Sequence, residues 1–378
     1  MSILLLAGDI GGTNTRLLLK QEESKEPIHQ NEFTNSKYSD LLPIVRAFLE
    51  EAAKNPQLNG NSTPQKACFA VAGLVDKKKN TCTLTNLNWT LDGNKLATDL
   101  DIEKVQLIND FEAVGYGVLQ LPKSEQDIEV LPTDKETKEK AKNESEEKDK
   151  PKKHTPLPPI GVIGAGTGLG EAFILKKKRE DNTGTVYPTE GGHVDFGIRS
   201  LEEFELLEYI KEKYQLSRVS VERVVSGPGI VAIYQFLRDA DATQGSRQYS
   251  ELEDIKAAVE AWEKSGSEPS QAPSKEISEG ALEKRNKLCW DTIQMFAKAY
   301  GSEVGNFALK LLPYEGLYIA GGIAPDILKD KELRELFMKE LTDKGRMTDK
   351  VIRKIPIYLV KKKQVGLIGA AHYASTHL

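Results

Sequence analysis

The stretch ILLLAGDIGGTNTRLLLK, residues 3–20, decides how the chain begins to fold. Two short apolar runs, residues 3–7 and 17–19, flank a turn of Gly, Asp, Thr and Asn, a pattern typical of a β-hairpin. A related pattern returns in IGVIGAGTGLGEAFILK, residues 160–176. We interpret the two stretches as an internal repeat, in which two similar α/β lobes each present one Gly-rich hairpin.

Periodic apolar residues predict the elements around these hairpins. One apolar face over residues 41–54 predicts a helix, and short apolar runs predict strands at 66–71 and 105–108. From residue 293 to residue 311 apolar side chains recur every three or four positions, which predicts an amphipathic helix. On that helix Gly301 and Gly305 would permit close packing of a neighbour.

Composition bounds the class of protein. A length of 378 residues predicts two to three domains at about 150 residues each. The net charge of −5 gives no electrostatic footprint for nucleic acid. The three cysteines, Cys68, Cys82 and Cys289, form no C-x-x-C pair, which argues against a zinc ribbon, a redox pair or a disulfide framework. No signal sequence and no apolar stretch of about 20 residues is visible, so we expect a soluble, cytoplasmic protein.

Two segments resemble additions to a compact scaffold. Residues 123–159 contain the run DKETKEKAKNESEEKDKPKK, which is too polar to fold alone and predicts a charged surface loop. Residues 239–274 carry a predicted helix around 251–264 followed by SGSEPSQAPS, and predict a second surface excursion. We expect neither segment to carry chemistry.

The Gly-rich turns indicate phosphate binding, because residues without Cβ let backbone N–H groups approach phosphate oxygens. The chain has no Gly-Lys-Ser or Gly-Lys-Thr, which excludes a Walker loop, and the second turn leads into a strand rather than the helix of a dinucleotide fingerprint. Two strand-turn-strand phosphate loops remain, although either could be only a tight hairpin. Their candidate residues are Asp9, Gly11, Gly12, Thr13 and Asn14, then Gly166, Thr167 and Gly168.

Polar residues at strand ends are the next candidates. Asp9 ends a predicted strand beside the first turn, where it could hold Mg²⁺ through water, although an Asx-turn is the alternative. The predicted strand at 105–108 delivers Asn109 and Asp110 to its end, where α/β proteins bind ligands. The alternative is that Asn109 or Asp110 merely caps the next helix.

A carboxylate and an imidazole lie close together in TEGGHVDF. Its two glycines make a turn that can point Glu190 and His193 toward one ligand, and these groups suit the hydroxyls of a polyol. Glu222, in VSVERVVSGPG, completes the set. The alternatives are a satisfied core histidine for His193 and a surface or capping carboxylate for Glu222.

These motifs resemble, in order, those of the bacterial-type glucokinase family within the actin-like sugar-kinase ATPase superfamily. The motifs are GDIGGTNTRL, LINDFEAVGYG, IGAGTGLGEA, TEGGHVDF, VSVERVVSGPG, YIAGGIAP and DKGRM. The resemblance covers nearly the whole chain apart from the two added segments. It implies an α/β, two-lobed actin-like ATPase (ribonuclease H-like) fold with a sugar and nucleotide cleft. The implied small domain is 1–121 plus 364–378, and the implied large domain is 122–363.

The resemblance also implies a function, the transfer of the γ-phosphoryl group of ATP to the 6-hydroxyl of glucose, with Mg²⁺, as the first step of glycolysis. It implies that Asp110 is the catalytic base. By the same resemblance, the sugar-hydroxyl ligands are Asn86, Asn109, Asp110, Glu190, His193 and Glu222. The two Gly-rich turns would bind phosphate, and Gly321 and Gly322 would form the turn on the adenosine side. We expect a homodimer.

Three alternatives remain open. Another hexose kinase of the related repressor/open-reading-frame/kinase group usually carries a cysteine-rich zinc motif, whereas this chain has no cysteine between Cys82 and Cys289. A non-catalytic sugar sensor would not need the base Asp110. An actin-like filament ATPase would leave the carboxylates and the histidine of the sugar set unexplained. The C-terminal Thr-His-Leu is also similar to a peroxisomal address.

Overall fold

The structure is a computed structural model that describes residues 3–24, 26–58, 60, 62–84, 87–122, 124, 126–133, 157–178, 183–244 and 249–378. The strands are β1 (Leu4–Ile10), β2 (Asn14–Gln21), β3 (His29–Thr34), β4 (Lys66–Val71), β5 (Val75–Asp76), β6 (Thr81–Leu84), β7 (Trp89–Asp92), β8 (Lys104–Asn109), β9 (Ile128–Leu131), β10 (Ile160–Ala165), β11 (Leu169–Leu175), β12 (Thr185–Thr189), β13 (Leu317–Ala320) and β14 (Ile357–Val360). The helices are α1 (Leu41–Ala52), α2 (Gly93–Leu100), α3 (Asp110–Val118), α4 (Leu201–Lys213), α5 (Gly227–Gln244), α6 (Glu253–Lys264), α7 (Ser274–Leu282), α8 (Lys287–Leu311), α9 (Ile323–Ile327), α10 (Lys331–Thr342), α11 (Met347–Lys350) and α12 (Val365–His377).

Both predicted hairpins are confirmed, and each leads into a sheet built in the same way. Strands β1 and β2 pair antiparallel, and so do β10 and β11. The five-stranded sheet has the order β3-β2-β1-β4-β8, and the six-stranded sheet has the order β12-β11-β10-β13-β14-β9. In both sheets a parallel strand, β4 or β13, follows on the far side of the hairpin's first strand. This shared order supports the internal repeat inferred from the sequence.

The chain divides into two compact units. Unit 1 comprises Met1–Lys123, Glu180–Pro188 and Gln364–Leu378, and unit 2 comprises Ser124–Arg179 and Thr189–Lys363. The sequence did not predict that the short segment Glu180–Pro188 would group with unit 1.

In unit 1, two glycines let helices α3 and α12 touch through their backbones. A Cβ added at Gly369 would overlap the carbonyl oxygen of Ala113 and lie 2.7 Å from its carbonyl carbon. A Cβ at Gly117 would likewise overlap the carbonyl oxygen of Val365. Because real Cβ atoms do not approach other atoms this closely, only glycine permits the packing that places the start of α3.

In unit 2, helix α8 forms the centre of the core. Its predicted close contacts are confirmed: a Cβ at Gly301 would overlap the carbonyl oxygen of Phe337 on α10, and one at Gly305 that of Leu341. Tyr300, fully buried on the same helix, packs edge-on against the Phe337 ring at 5.4 Å between centroids. Helix α8 therefore packs against α10 so closely that the backbones of the two helices are in contact.

The two added segments differ from what the sequence predicts. The expected loop at 123–159 contains strand β9, which pairs with β14 at the edge of the six-stranded sheet, and residues 134–156 lie outside the described part of the chain. The expected surface excursion at 239–274 contains helix α6, which buries Ile255, Val259 and Trp262 in the unit 2 core. The spacing of these three side chains places them on one helical face, so α6 is an integral element.

Membrane insertion has no support in the helices. None of those in the described ranges combines the length with the apolar character that crossing a bilayer requires.

Candidate functional site

The first Gly-rich turn, residues 11–13 (the first loop), closes the β1–β2 hairpin and receives two hydrogen bonds from Asn35. The Gly11 N–H donates to the Asn14 carbonyl at 3.0 Å. The buried Asn35 donates its Nδ2 to the Gly11 carbonyl at 2.8 Å and its backbone N–H to the Thr13 carbonyl at 2.9 Å. No local pattern indicates this role for Asn35, because the residue lies more than twenty positions along the chain from the loop that it supports.

Asp9 lies near the end of β1, beside the first loop. Burial raises the pKa of this carboxyl, and the Arg16 guanidinium opposes the rise, with its Nη1 3.8 Å from Asp9 Oδ2. Among the residues that the structure describes, no group of three or more His, Cys, Asp or Glu side chains could hold a metal ion. Mg²⁺ often binds proteins through one or two carboxylates while keeping several waters and substrate phosphates as ligands. A single carboxylate at Asp9 fits that mode.

Asn109 and Asp110 lie where β8 ends and α3 begins. The Asn109 side-chain oxygen accepts from the N–H groups of Phe111 at 2.9 Å and Glu112 at 3.1 Å, so this residue caps α3, whether or not it also binds a ligand. Asp110 is the first residue of α3, and its Oδ1 accepts from the Phe111 N–H at 2.8 Å. The dipole of the helix favours a negative charge here, and a carboxyl group must be ionised to act as a general base.

The pairing of the strands places the unit 1 candidates at one end of the sheet, where the parallel strands β1 and β8 finish. Strands β1 and β8 both run parallel to β4, with Asp9 level with Ala70 and Ala70 level with Ile108. Two strand spacings, about 10 Å, therefore separate Asp9 from the end of β8. Asp9, Asn109 and Asp110 all lie at the carboxyl ends of these parallel strands, as the sequence predicts.

The second Gly-rich turn, residues 166–168 (the second loop), closes the β10–β11 hairpin in unit 2. The Gly166 N–H donates to the Gly168 carbonyl at 2.8 Å, and the Gly227 N–H donates to the Gly166 carbonyl at 2.8 Å. The Tyr300 hydroxyl accepts from the Ala165 N–H at 3.1 Å just before the loop. Tyr300 was predicted only as part of an apolar helix face, so its role behind the loop is new.

Gly321 and Gly322 lie beside the second loop because β13 runs parallel to β10. Gly321 has φ +83°, and a Cβ there would also overlap the Ala165 carbonyl oxygen. Glycine is thus required at residue 321 both for its backbone conformation and for space. Gly322 has open space around it. The resemblance makes these glycines the turn on the adenosine side, and that role stays a prediction.

Residues 190–193 (the EGGH turn) bring three predicted ligand residues together in unit 2. His193 Nε2 lies 3.7 Å from Glu190 Oε2, and His193 Nδ1 lies 4.0 Å from Glu222 Oε1. The His193 side chain is 58% exposed, so the alternative of a core histidine is wrong. Glu222 Oε2 accepts from the Leu169 N–H at 2.8 Å, and this bond ties the cluster to the second loop.

A cavity of about 280 Å³ opens beside this cluster. Arg218 donates Nη2 to the His193 carbonyl at 2.9 Å and pairs with Asp195 at 2.7 Å, so it holds the end of the EGGH turn. Pro269 of the segment 239–274, which was expected to carry no chemistry, also lines the cavity. The lining residues are Thr167, His193, Leu216, Arg218, Ser220, Glu222, Arg223, Ser226, Pro228 and Pro269.

The structure thus groups the candidates in two sets, one in each unit. Asn86, a predicted sugar ligand, lies outside the described residues. The unit 1 set is Asp9, Gly11, Gly12, Thr13, Asn14, Asn109 and Asp110, and the unit 2 set is Gly166, Thr167, Gly168, Glu190, His193, Glu222, Gly321 and Gly322.

Comparison with known proteins points to one family. The family model described as Glucokinase matches residues 6–377. The chain is 46% identical to a glucokinase of Nostoc punctiforme over 374 residues, covering 97% of this chain and 98% of that protein. A solved glucokinase of Balamuthia mandrillaris in complex with glucose has a TM-score of 0.74 at 22% identity, covering 99% and 94% of the two chains. A ROK family glucokinase of Streptomyces griseus in complex with glucose and AMPPNP has a TM-score of 0.59 at 19% identity, covering 98% and 99%.

Proposed function

This chain belongs to the glucokinase family, and we propose how its residues transfer the γ-phosphoryl group of ATP to the 6-hydroxyl of glucose. The products are glucose 6-phosphate and ADP. The observation that carries the proposal is the cluster of Glu190, His193 and Glu222, which Glu222 ties to the second loop through the Leu169 N–H. Such a cluster offers hydrogen-bond partners for sugar hydroxyls directly beside a Gly-rich loop suited to phosphate.

We assign the base to Asp110 in this proposal. Its carboxylate, at the N-terminus of α3, accepts the proton of the 6-hydroxyl as the oxygen of that hydroxyl attacks phosphorus. Glu190, His193 and Glu222 orient the sugar by binding its other hydroxyls, and Asn109 and Asn86 remain predicted ligands. Alignment of the two substrates and neutralisation of the phosphoryl charge together supply most of the rate in phosphoryl transfer.

The two Gly-rich loops bind the phosphates through backbone N–H groups in this proposal, with Gly321 and Gly322 on the adenosine side. Asp9 would hold Mg²⁺ through water, and the ion would supply positive charge to neutralise the phosphoryl oxygens. The complex of the Streptomyces griseus relative with glucose and AMPPNP supports ATP as the phosphoryl donor. The homodimer and the cytoplasmic location stay predictions, and the comparisons lend no support to a peroxisomal address.

A coupled assay tests the activity directly. Purified full-length protein with Mg·ATP and glucose should produce glucose 6-phosphate, which a dehydrogenase reports as NADPH. A protein that binds glucose but turns over no hexose would instead be a sugar sensor.

Glu222 gives a separate prediction about the sugar site. Glu222→Ala is expected to raise the KM for glucose about 10- to 100-fold, because a hydrogen bond to a charged group contributes about 1.5–3 kcal/mol. Glu222→Gln keeps an oxygen for the Leu169 N–H and should raise KM less. Steady-state kinetics in glucose measure both effects, with Glu205→Gln, an exposed change on α4, as the control. Unchanged KM in Glu222→Ala would remove Glu222 from the sugar site.

A further inference from the structure

Glu171, on β11, is a buried carboxyl to which the proposed mechanism gives no role. Its exposure is 3%, and its Oε1 has no hydrogen-bond partner. Isolated carboxyls are costly to bury, so a residue of this kind calls for a physical reason. The reason lies in the EGGH turn, which packs directly against it.

The Glu171 carboxyl occupies the space beside Gly191. A Cβ added at Gly191 would overlap Glu171 Oε2 and lie 2.5 Å from Glu171 Cδ and 3.2 Å from Oε1, and these are its three nearest atoms. The backbone at Gly191 lies outside the left-handed region, so backbone conformation does not demand glycine there. Space demands it, and the Glu171 side chain takes that space.

A second contact joins the same two residues. The Thr189 hydroxyl donates to the Glu171 carbonyl at 3.2 Å and accepts from the Gly191 N–H at 3.2 Å. The side chain of Glu171 thus packs beside Gly191, the residue next to Glu190, and the Thr189 hydroxyl links the Glu171 backbone to the Gly191 N–H. The turn that carries Glu190 and His193 therefore packs against Glu171.

Several titratable groups surround the Glu171 carboxyl. Burial and, to a lesser extent, the Glu303 carboxylate on α8 raise its pKa to about 7, while Lys310 on the same helix opposes the rise. Lys310 Nζ lies 3.5 Å from Glu303 Oε1, and Tyr300 of α8 also interacts with Glu171. On the turn itself, the side chains of Glu190 and His193 are 62% and 58% exposed.

We propose that Glu171 is a positioning residue for the sugar site, whose carboxyl sets the place of the EGGH turn and thereby the affinity for glucose. This inference rests on the proposed function. The protonated carboxyl fits the space under Gly191 without a buried charge. Loss of its proton places an anion near Glu303 with one oxygen lacking a donor, so the carboxylate must move or admit water, and the turn moves with it. The affinity for glucose therefore falls as the pH rises through about 7.

Calorimetric titration of the full chain with glucose from pH 6 to 8.5 tests this. If only the protonated form is competent and its pKa is about 7, the apparent Kd at pH 8 rises up to about tenfold. Glu171→Gln, which stays neutral at every pH, should abolish that rise and change kcat less than about twofold. Glu303→Gln removes the charge that raises the Glu171 pKa, so the rise should move to lower pH.

The outcomes separate the inference from the function. An unchanged rise in Kd for Glu171→Gln overturns the inference while leaving glucose binding and the proposed function in place. No glucose binding at any pH overturns the proposed function and the inference with it.

A packing test is independent of pH. Gly191→Ala should weaken glucose binding at least tenfold, and adding Glu171→Ala should recover a measurable part of that loss, because the shorter side chain frees the space. Gly192→Ala is the matched control, since a Cβ there would overlap the backbone oxygen of Leu169, which Glu171→Ala does not move. The role of Glu171 would be contradicted if Glu171→Ala restored glucose binding equally in the Gly191→Ala and Gly192→Ala variants. It would also be contradicted if Glu171→Ala restored no binding in Gly191→Ala.

Discussion

Asp110→Asn is expected to lower kcat by about 10²- to 10⁴-fold while glucose still binds within about twofold of the wild-type Kd. The amide has nearly the same shape, so it can keep the bond from the Phe111 N–H to residue 110. It cannot accept the proton of the 6-hydroxyl, however. The coupled assay measures kcat, and calorimetry with glucose alone measures binding.

The control for this prediction is Asp101→Asn, the same change at an exposed position of unit 1. Asp101 ends α2 with φ 55°, a conformation that asparagine adopts readily, so neither stability nor turnover should fall. If Asp110→Asn retained more than about a tenth of wild-type kcat, the base would have to be another group.

Gly369→Ala is expected to lower the free energy of unfolding by about 2 kcal/mol, which is the second large effect. The new methyl group would overlap the Ala113 carbonyl oxygen, and backbone atoms cannot turn aside as a side chain can. Overpacking of this kind typically costs about 1–3 kcal/mol and outweighs the gain of up to about 1 kcal/mol from replacing glycine inside a helix. Urea unfolding followed by circular dichroism measures the change.

Gly366→Ala, one turn earlier on α12, is the matched control. A Cβ there would make only ordinary contacts, at 3.8 Å from Val114 and 3.9 Å from Asp9, so this variant should be as stable as the wild type or slightly more stable. Equal losses in both variants would indicate that helix α12 tolerates no change at all, and that the contact with Ala113 is not special.

The close packing at Gly369 also bears on catalysis. Helix α3 begins at Asp110, and its body is held against α12 through Ala113 and Gly117. Separation of the two helices would displace the Asp110 carboxylate from its position at the carboxyl end of β8. Gly369→Ala should therefore lose turnover as well as stability, whereas the sequence alone gives Gly369 no connection to the site.

Local patterns were enough to predict much of the fold. The strand expected at 66–71 agrees with β4, and the helices expected at 41–54 and 293–311 agree with α1 and α8 to within a few residues at most ends. The errors fall where tertiary contacts decide. Residues 128–131 form a strand only because β14 offers an edge to pair with, and helix α6 joins the core through three side chains in a polar segment.

The sequence by itself determined the two Gly-rich hairpins and the family, because both depend on motifs of residue types at short spacing, and the same motifs supplied the residues proposed for the chemistry. Only the tertiary structure decided what supports them. Asn35 behind the first loop, Tyr300 behind the second and Glu171 under the EGGH turn lie between about 20 and 135 residues from the groups they contact. Burial, packing at glycine and shifted pKa values arise from such distant neighbours, and no local pattern in the chain encodes which neighbours will meet.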